Sequence, residues 1–378
     1  MKYFIIISLI IIIACLAAEA KLAAGHRRAI KHVIHVNGTR GKSAVSRLIA
    51  AGCAAGGLRT YCKTTGTLPM TIDTNGNETE IKRIGRANIS EQIKILKKAA
   101  ADGAEVLVIE CMAVDPELQR VCERKILRSD IGVITNVRID HVAEMGETIP
   151  EVCEALCETI PENGIVFTAD ERSFDAIREN AGPRGSEAVL VNETPEDTRE
   201  FLFPENIALA LRVCEYLGIE RRTALEGMKK VIADPYEAKR YTLPGGAVFV
   251  NAMSANDPES TGILLSKFIN KKSPDGRLII IQNNRADRAY RIKLMAGFAA
   301  GAGADEIWQL GSYSGAARRI FEKSGIKTEK FRRAAELPLA RVRSGDLVFA
   351  IGNIADEGIK LMNLVEGKEE SRKCTEKS

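Results

Sequence analysis

The sequence predicts an α/β protein with two domains, each built on a sheet of mainly parallel strands, behind an N-terminal membrane helix. Apolar β-branched runs alternate with helical patterns over most of the chain, which is typical of a parallel sheet covered by helices. At residues 33–49 a buried strand runs through a glycine turn into a helix, and the first residues are almost all apolar. A chain of 378 residues is also long for a single core.

The N-terminal segment has an uncharged apolar run at residues 3–18, preceded by Lys2. A spanning helix needs about 20 residues, and Lys21 can lengthen the span by extending its amine to the interface. A signal peptide is the alternative, since residues 18–20 resemble a cleavage site. The basic residues that follow the run outnumber those before it, which favours an uncleaved anchor with the rest of the chain in the cytoplasm.

Strand patterns divide the chain after the anchor into two series. The first series is expected at 32–36, 105–110, 130–137, 164–169 and 187–192, and the second lies in AVFVNAM, RLIIIQNN, DEIWQLG and DLVFAIGN. A helix is expected over 88–103, capped by Asn88 or Ser90. The stretch 234–246, with two prolines and a glycine pair, is the expected boundary. The predicted organisation is an anchor at 1–25, a central domain at 26–238, a smaller Rossmann-like domain at 239–366 and a disordered tail at 367–378.

Composition disfavours two classes of function. The net charge is only +4 and aromatic residues make up 5% of the chain, so a nucleic-acid-binding surface is not expected. The nine cysteines are odd in number and form no CxxC pair, which argues against a zinc site or a disulfide framework. We expect reduced and mostly buried thiols.

The glycine turn NGTRGKS, residues 37–43, predicts a phosphate-binding loop. Backbone N–H groups and the positive end of a helix dipole make such a turn an anion site. The residues predicted to bind the nucleotide here are Gly38, Thr39, Arg40, Gly41, Lys42 and Ser43. In this interpretation Lys42 supplies a charge to the outer phosphates and Ser43 a hydroxyl to Mg²⁺.

Two further polar elements follow strand patterns. Glu110 ends the run VLVIE, where a carboxylate can hold the magnesium ion of an ATP site. Asp140 and His141 follow the strand at 130–137, at the carboxyl end where open α/β sheets bind their ligands. We therefore expect Ser43 and Glu110 to hold metal, and His141 is a further candidate ligand.

These elements, with TTGT at 64–67, resemble the Mur-ligase superfamily of ATP-dependent amide ligases, whose short loop is GTxGK[ST]. The resemblance implies a Mur-ligase-like P-loop ATPase domain, with Asn206 near the adenine and Arg240 before the C-terminal domain. More narrowly, ECMAVDPELQ, NAMSANDPES, NNRADRAYR and AIGNIADEG are similar to the membrane-anchored poly-gamma-glutamate synthase ligase subunits, the PgsB/CapB family. The candidate substrate residues are Thr64, Thr65, Asn136, Asp140, Arg288 and Arg291.

The chain departs from the superfamily at two positions. Leu156 stands where many Mur ligases carry a carbamylated lysine that helps to hold a second magnesium ion, and Ala143 replaces an aspartate that follows the histidine. No lysine occurs between Lys125 and Lys229. A second metal must therefore be held without that lysine, or be absent.

The resemblance implies a ligase that uses ATP and Mg²⁺ to add glutamate to a poly-gamma-glutamate chain, with an acyl phosphate as intermediate. It also implies that Lys42, Glu110 and His141 are catalytic, and that His141 holds metal in addition to Ser43 and Glu110. Small membrane subunits would be its partners, and it could form a homo-oligomer. One alternative is a related ligase with another acceptor, such as a folate. The other is an assembly or transport ATPase of a membrane complex, in which phosphate release would not depend on glutamate.

Overall fold

The computed structural model describes residues 2–66, 68–83, 85, 87–193, 196–198, 203–231, 238–255, 257–312 and 315–367. The chain divides into two compact units, Met1–Ala233 and Asp234–Ser378. The predicted boundary segment is partly outside the described residues, as is the predicted disordered tail from residue 368 onward. The predicted domain limits stay predictions.

The N-terminal unit begins with a long apolar helix, α1 (Lys2–Ala29). Residues Tyr3–Ala29 are long and apolar enough to cross a membrane, a criterion that a signal sequence near the N-terminus also meets. The end of α1 is fixed to the rest of the unit by Arg27, which donates to the carbonyl of Leu127 at 2.8 Å and pairs with Asp130 at 2.7 Å. No long linker separates the apolar helix from the first strand.

The sheet of the N-terminal unit has eight strands in the order β4-β3-β2-β5-β1-β6-β7-β8. Its strands are β1 (His32–Asn37), β2 (Thr60–Lys63), β3 (Met70–Ile72), β4 (Glu78–Glu80), β5 (Val106–Glu110), β6 (Ile131–Ile134), β7 (Ile165–Thr168) and β8 (Glu187–Leu190). Among the described strands of this sheet, the β2–β3 and β3–β4 pairs are antiparallel, so β3 runs opposite to the others. Val36 lies opposite Glu110, and Asn37 opposite Ile134, so the carboxyl ends of the three central strands meet at one edge.

Helices cover both faces of this sheet. They are α2 (Lys42–Ala55), α3 (Glu91–Ala101), α4 (Pro116–Val121), a π-helix (Cys122–Leu127), α5 (Val142–Met145), α6 (Ile149–Cys157), α7 (Phe174–Ala181), α8 (Pro204–Tyr216) and α9 (Arg221–Met228). Ile34 and Val36 pack in one core cluster with residues of α2, α8 and α9, whereas Val33 packs with residues of α3 and the π-helix. Alternate residues of β1 therefore face opposite layers, which explains its unbroken apolar sequence.

The C-terminal unit has a six-stranded sheet in the order β13-β12-β11-β14-β10-β9. Its strands are β9 (Lys239–Thr242), β10 (Val248–Asn251), β11 (Leu278–Asn284), β12 (Glu306–Gly311), β13 (Lys327–Phe331) and β14 (Leu347–Gly352). Its helices are α10 (Pro258–Phe268), α11 (Ala289–Gly301), α12 (Gly315–Ser324) and α13 (Glu357–Val365). Only the edge strand β9 runs antiparallel, and Trp308 lies at 1% exposure in the core.

The α/β prediction is confirmed, and each predicted strand coincides with an observed one to within a few residues. Five short strands were not predicted: β2, β3, β4, β9 and β13. The helix predicted over 88–103 is α3, which begins at Glu91. Ser90 occupies its N-cap position without a side-chain cap hydrogen bond, and Asn88 instead accepts from the backbone of Ser90.

Candidate nucleotide-binding site

The loop between β1 and α2 requires glycine at both of its glycine positions. Gly38 has φ of 124°, and a Cβ there would lie 2.1 Å from Thr135 Oγ1. Gly41 has φ of 79° and forms the N-cap of α2 without a side-chain cap hydrogen bond. The N–H groups of the first helical turn are thus available to an anion. A Cβ on Gly41 would approach Asn206 Nδ2 to 3.1 Å, so the predicted adenine residue, buried on α8, lies against the loop.

The loop is held in shape by the segment that follows β6. The backbone N–H of Arg40 donates to Asn136 Oδ1, and Asn136 Nδ2 donates back to the Arg40 carbonyl, both at 3.0 Å. Thr39 Oγ1 donates to the carbonyl of Arg138 and accepts from its N–H, both at 3.0 Å. Asn136 and Thr39 therefore position the loop through their side chains, a role that their types alone did not indicate.

Ser43 and Glu110 meet at the edge of the sheet. Ser43 Oγ donates to Glu110 Oε2 at 2.8 Å, and the N–H of Thr65 donates to the same oxygen at 2.7 Å. Glu110 is 3% exposed. A hydroxyl and a carboxylate are oxygen ligands of the kind that Mg²⁺ and Mn²⁺ prefer. The two residues thus suit a hard divalent cation bound beside a phosphate.

Lys42, Asp140 and His141 lie around the same space. Lys42 Nζ donates to the Gly38 carbonyl at 2.7 Å, which folds the side chain over the loop. Asp140 pairs with Arg40 at 2.7 Å and lies 3.7 Å from His141 Nε2. His141 has left-handed backbone angles, φ 48° and ψ 48°, which are uncommon for a residue other than glycine and mark a local constraint.

A cavity of about 280 Å³ joins these groups. Its lining includes Gly38, Thr39, Lys42, Thr65, Glu110, Asp140 and His141. Thr64 is buried, and its backbone pairs with Met70 to begin the β2–β3 connection. Thr67 lies outside the described residues.

Of the three predicted metal residues, Ser43 and Glu110 are in direct contact. Among the described residues, no group of three or more His, Cys, Asp or Glu side chains is placed to hold a metal ion. A cation at Ser43 and Glu110 would therefore depend on phosphate oxygens and water for its other ligands. Leu156 is fully buried in a core cluster, so its position does not serve a metal. The metal role of His141 stays a prediction.

Three predicted arginines belong to the C-terminal unit. Arg240 lies exposed on β9, Arg288 ends a short 3₁₀ turn (Ala286–Arg288), and Arg291 lies on α11. Their predicted roles in binding nucleotide and substrate stay predictions.

A cluster of ion pairs at the cavity was not predicted from the sequence. Glu91, at the start of α3, pairs with Arg83 through Nε at 2.8 Å and with Lys63 Nζ at 3.1 Å. Burial would raise the pKa of Glu91, but hydrogen bonds and charges from Arg83 and Lys63 outweigh it and lower that pKa. Lys63 is fully buried, and burial lowers its pKa against the opposing charge of Glu91. Its position directly before TTGT was the available signal.

A second missed pair lies behind β1. His35 Nδ1 and Glu123 Oε2 are 2.8 Å apart, both side chains are buried, and Glu123 also accepts from Ser129. Burial alone would lower the pKa of His35, but Cys111 and Glu123 together raise it to about 9. The eight cysteines in the described part of the chain are free, and all but Cys15 are buried.

Comparisons with known proteins agree with this geometry. Residues 36–213 match the family described as the Mur ligase middle domain, and residues 239–368 match the poly-gamma-glutamate synthase CapB C-terminal domain. The chain is 34% identical over 353 residues to a capsule biosynthesis protein CapB from Bacillus anthracis, covering 88% of this chain and 76% of the relative. It is 37% identical over 277 residues to a PGA synthase CapB from Bacillus subtilis (strain 168), covering 70% of each.

Solved structures of similar fold include E. coli FolC in complex with DHPP and ADP, with a TM-score of 0.65, 14% identity and 93% of each chain covered. Another is a bifunctional folylpolyglutamate synthase/dihydrofolate synthase with Mn, AMPPNP and L-glutamate bound, with a TM-score of 0.66 and 13% identity over 92% of this chain and 93% of that one. At these identities the similarity establishes the fold.

Proposed function

We propose that this chain, which belongs to the CapB family of poly-gamma-glutamate synthases and is an ATP-dependent amide ligase, joins glutamate to a growing poly-gamma-glutamate chain. The proposed reaction proceeds through an acyl phosphate. The observation that carries the proposal is the hydrogen bond of 2.8 Å between Ser43 and Glu110, beside the loop that ends in Lys42. This arrangement places a cation ligand and a phosphate-binding charge at one sheet edge.

The chemistry explains why phosphate is needed. A carboxylate does not react with an amine in water because its oxygen is a poor leaving group. In the proposed first step a carboxylate oxygen bonds to the γ-phosphorus while the bond from that phosphorus to ADP breaks. In the second step the amine nitrogen bonds to the carbonyl carbon, and the resulting tetrahedral intermediate loses phosphate and the amine proton. The products are the amide, ADP and phosphate.

The residues of this chain have separate roles in that scheme. Lys42 and the N–H groups at the start of α2 would bind the phosphates, and Asn206 would lie on the nucleotide side of the loop. Ser43 and Glu110 would hold Mg²⁺, which when bound neutralises charge on the phosphate oxygens. His141, which lines the same cavity, would bind a second metal or the reacting carboxylate.

The helix α1 suggests where the reaction takes place. We infer that α1 anchors the chain in the membrane and that both units lie on the cytoplasmic side, where ATP is available. Arg27 connects the end of α1 directly to the nucleotide-binding unit through Leu127 and Asp130, so that unit would be held close to the membrane surface. Small membrane subunits that export the polymer would be partners there.

The test is glutamate-dependent turnover by the purified full-length chain, with and without its membrane partners. Incubation with ATP, Mg²⁺ and L- or D-glutamate should release ADP and give a γ-linked polymer. ADP release with a pteroate-type acceptor but not with glutamate alone would favour a folate-like acceptor, consistent with the fold of the folylpolyglutamate synthases. Release that is indifferent to every carboxylate and amine would contradict the ligase proposal.

A further inference from the structure

Arg83 lies between β4 and α3 and lines the cavity that contains Lys42 and Glu110. Its guanidinium is held along one edge, because Nε donates to Glu91 Oε2 at 2.8 Å and Nη2 to Glu91 Oε1 at 3.0 Å. Its third nitrogen, Nη1, has no acceptor among the described residues. The side chain is 24% exposed, so this group remains accessible to a ligand in the cavity.

Glu91, which holds Arg83, is itself held in place by Lys63. Glu91 Oε1 also accepts from Lys63 Nζ at 3.1 Å, and Lys63 is fully buried with its Nζ 3.5 Å from Met112 Sδ. A bidentate pair with a carboxylate that is fixed in this way sets the plane and direction of the guanidinium. Arg83 is therefore preorganised at the cavity wall.

The charged residues that line the cavity indicate which anionic group Arg83 could bind. Asp140 is paired with Arg40, and Glu110 is committed to Ser43 and Thr65. The two permanent cations of the described lining are Lys42, which belongs to the phosphate loop, and Arg83. The proposed reaction brings two anionic groups into this space, a phosphate and a carboxylate. Lys42 matches the phosphate by its place on the loop, which leaves Arg83 for the carboxylate.

We propose that Arg83, held by Glu91 and Lys63, forms a carboxylate-binding subsite that receives the glutamyl carboxylate to be phosphorylated. This inference rests on the proposed function and adds the residue that binds the acidic substrate. Since a phosphate is also an oxyanion that arginine recognises, contact with the nucleotide is the competing outcome of the test.

The test separates substrate binding from nucleotide binding in the full-length chain. A γ-linked glutamate oligomer and a non-hydrolysable ATP analogue serve as probes, each titrated by calorimetry against the wild type, Arg83→Gln and Arg83→Lys. The oligomer should bind Arg83→Gln about 10- to 100-fold more weakly, because a hydrogen bond to a charged group is lost. Affinity for the ATP analogue should stay within about twofold. Arg83→Lys should lie between, since it keeps the charge but not the bidentate geometry.

Control measurements keep the result interpretable. Arg178→Gln replaces an exposed arginine on α7 and should change neither affinity. Because Arg83→Gln removes one partner of Glu91, thermal unfolding and retained binding of the ATP analogue establish that the variant is folded. A KM for the oligomer that rises with little change in kcat would agree with a binding role.

Two results would overturn the inference. One is an unchanged oligomer affinity in Arg83→Gln, and the other is a loss confined to the ATP analogue, which would assign Arg83 to the phosphates. If instead the wild type bound no oligomer and released no ADP in response to glutamate, the proposed function would fail first and the inference with it.

Discussion

The carboxyl edges of the two sheets carry different chemistry. In the N-terminal unit, Glu110 ends β5 and Asp140 follows β6, and the two carboxylates pair with Ser43 and Arg40 around a cavity. In the C-terminal unit, buried neutral amides lie in or near the strand ends: Gln282, Asn283 and Asn284 on β11 and Gln309 on β12. The charged residues that follow β11 and β14 pair with one another, Arg285 with Asp287 and Asp356. Asn283 Nδ2 donates to the carbonyls of Asn353 and Ala355, in the loop after β14.

The difference separates ligand binding from loop support. Charged groups at a strand end can offset the charge of a bound phosphate and its cation, whereas a buried amide mainly satisfies backbone groups of neighbouring loops. We therefore expect substitutions at the first edge to affect turnover and substitutions at the second to affect stability. Four experiments test this comparison, in order of decreasing effect.

The largest effect is expected for Lys42→Ala, which should lower the rate of ADP release roughly 1,000-fold, or about 4 kcal/mol in activation free energy. The structural cost should be small, since within the described part of the chain Nζ makes one hydrogen bond, to the Gly38 carbonyl. Steady-state ADP release and thermal unfolding measure the two quantities. Lys97→Ala, on the exposed side of α3, is the control. Retained turnover in a folded Lys42→Ala protein would refute the phosphate-loop assignment.

The second effect concerns pH, because the buried His35–Glu123 pair of the N-terminal unit contains a titratable histidine. The folded pKa of His35, about 9, lies above its ordinary value of 6.5. Its stabilising contribution should thus be complete below pH 6.5 and be lost as the pH rises through about 9, on the order of 3 kcal/mol in all. Urea unfolding between pH 6 and 9.5 measures the loss.

The matched variant for that experiment is His35→Gln, which cannot titrate. Its free energy of unfolding should be lower at pH 6 and should change less with pH than that of the wild type. Parallel pH profiles for the two proteins would mean that the His35–Glu123 pair does not stabilise the fold through its charge.

The third effect is on metal dependence. Glu110→Gln keeps an oxygen that can accept from Ser43 and Thr65 but removes the negative charge. We expect about a 100-fold loss of turnover and a higher Mg²⁺ concentration at half-maximal activity. The matched control is Glu306→Gln, which neutralises a carboxylate that pairs with Arg277 in the C-terminal unit. An identical Mg²⁺ requirement in Glu110→Gln and the wild type would remove Glu110 from the metal site.

The smallest effect is expected for Asn283→Ala at the second edge. Loss of its two hydrogen bonds leaves the carbonyls of Asn353 and Ala355 without that donor, which should cost about 1–3 kcal/mol of stability. Chemical denaturation measures the change, with the exposed Asn270→Ala as control. The Mg²⁺ requirement should not shift, and a shift would show that the two edges are not separable in function.

The comparison also indicates which features a sequence reveals. The long apolar strands and the loop at 38–43 were predicted because each has a local pattern: an apolar period, or glycines beside Lys42 and Ser43. Strand β4 was not predicted, because its three residues, Glu78–Glu80, are polar and exposed. They form a strand by pairing with β3. Context of this kind overrides local propensity in short strands.

Local sequence patterns were enough to predict the fold class, the apolar N-terminal helix, the glycine loop at 38–43 and the strand-end position of Glu110. Each of these depends on neighbouring residues, whose backbone geometry and hydrophobic period are encoded locally. Which distant groups meet follows from the packing of separate elements. His35 and Glu123 are 88 positions apart, and Ser43 and Glu110 are 67 apart. Arg83 follows β4, and it reaches the same cavity as Lys42 because β4, β3 and β2 extend the sheet outward from β5, the neighbour of β1. The free energy of such contacts comes from burial and charge pairing between separate elements, which a local sequence pattern does not predict.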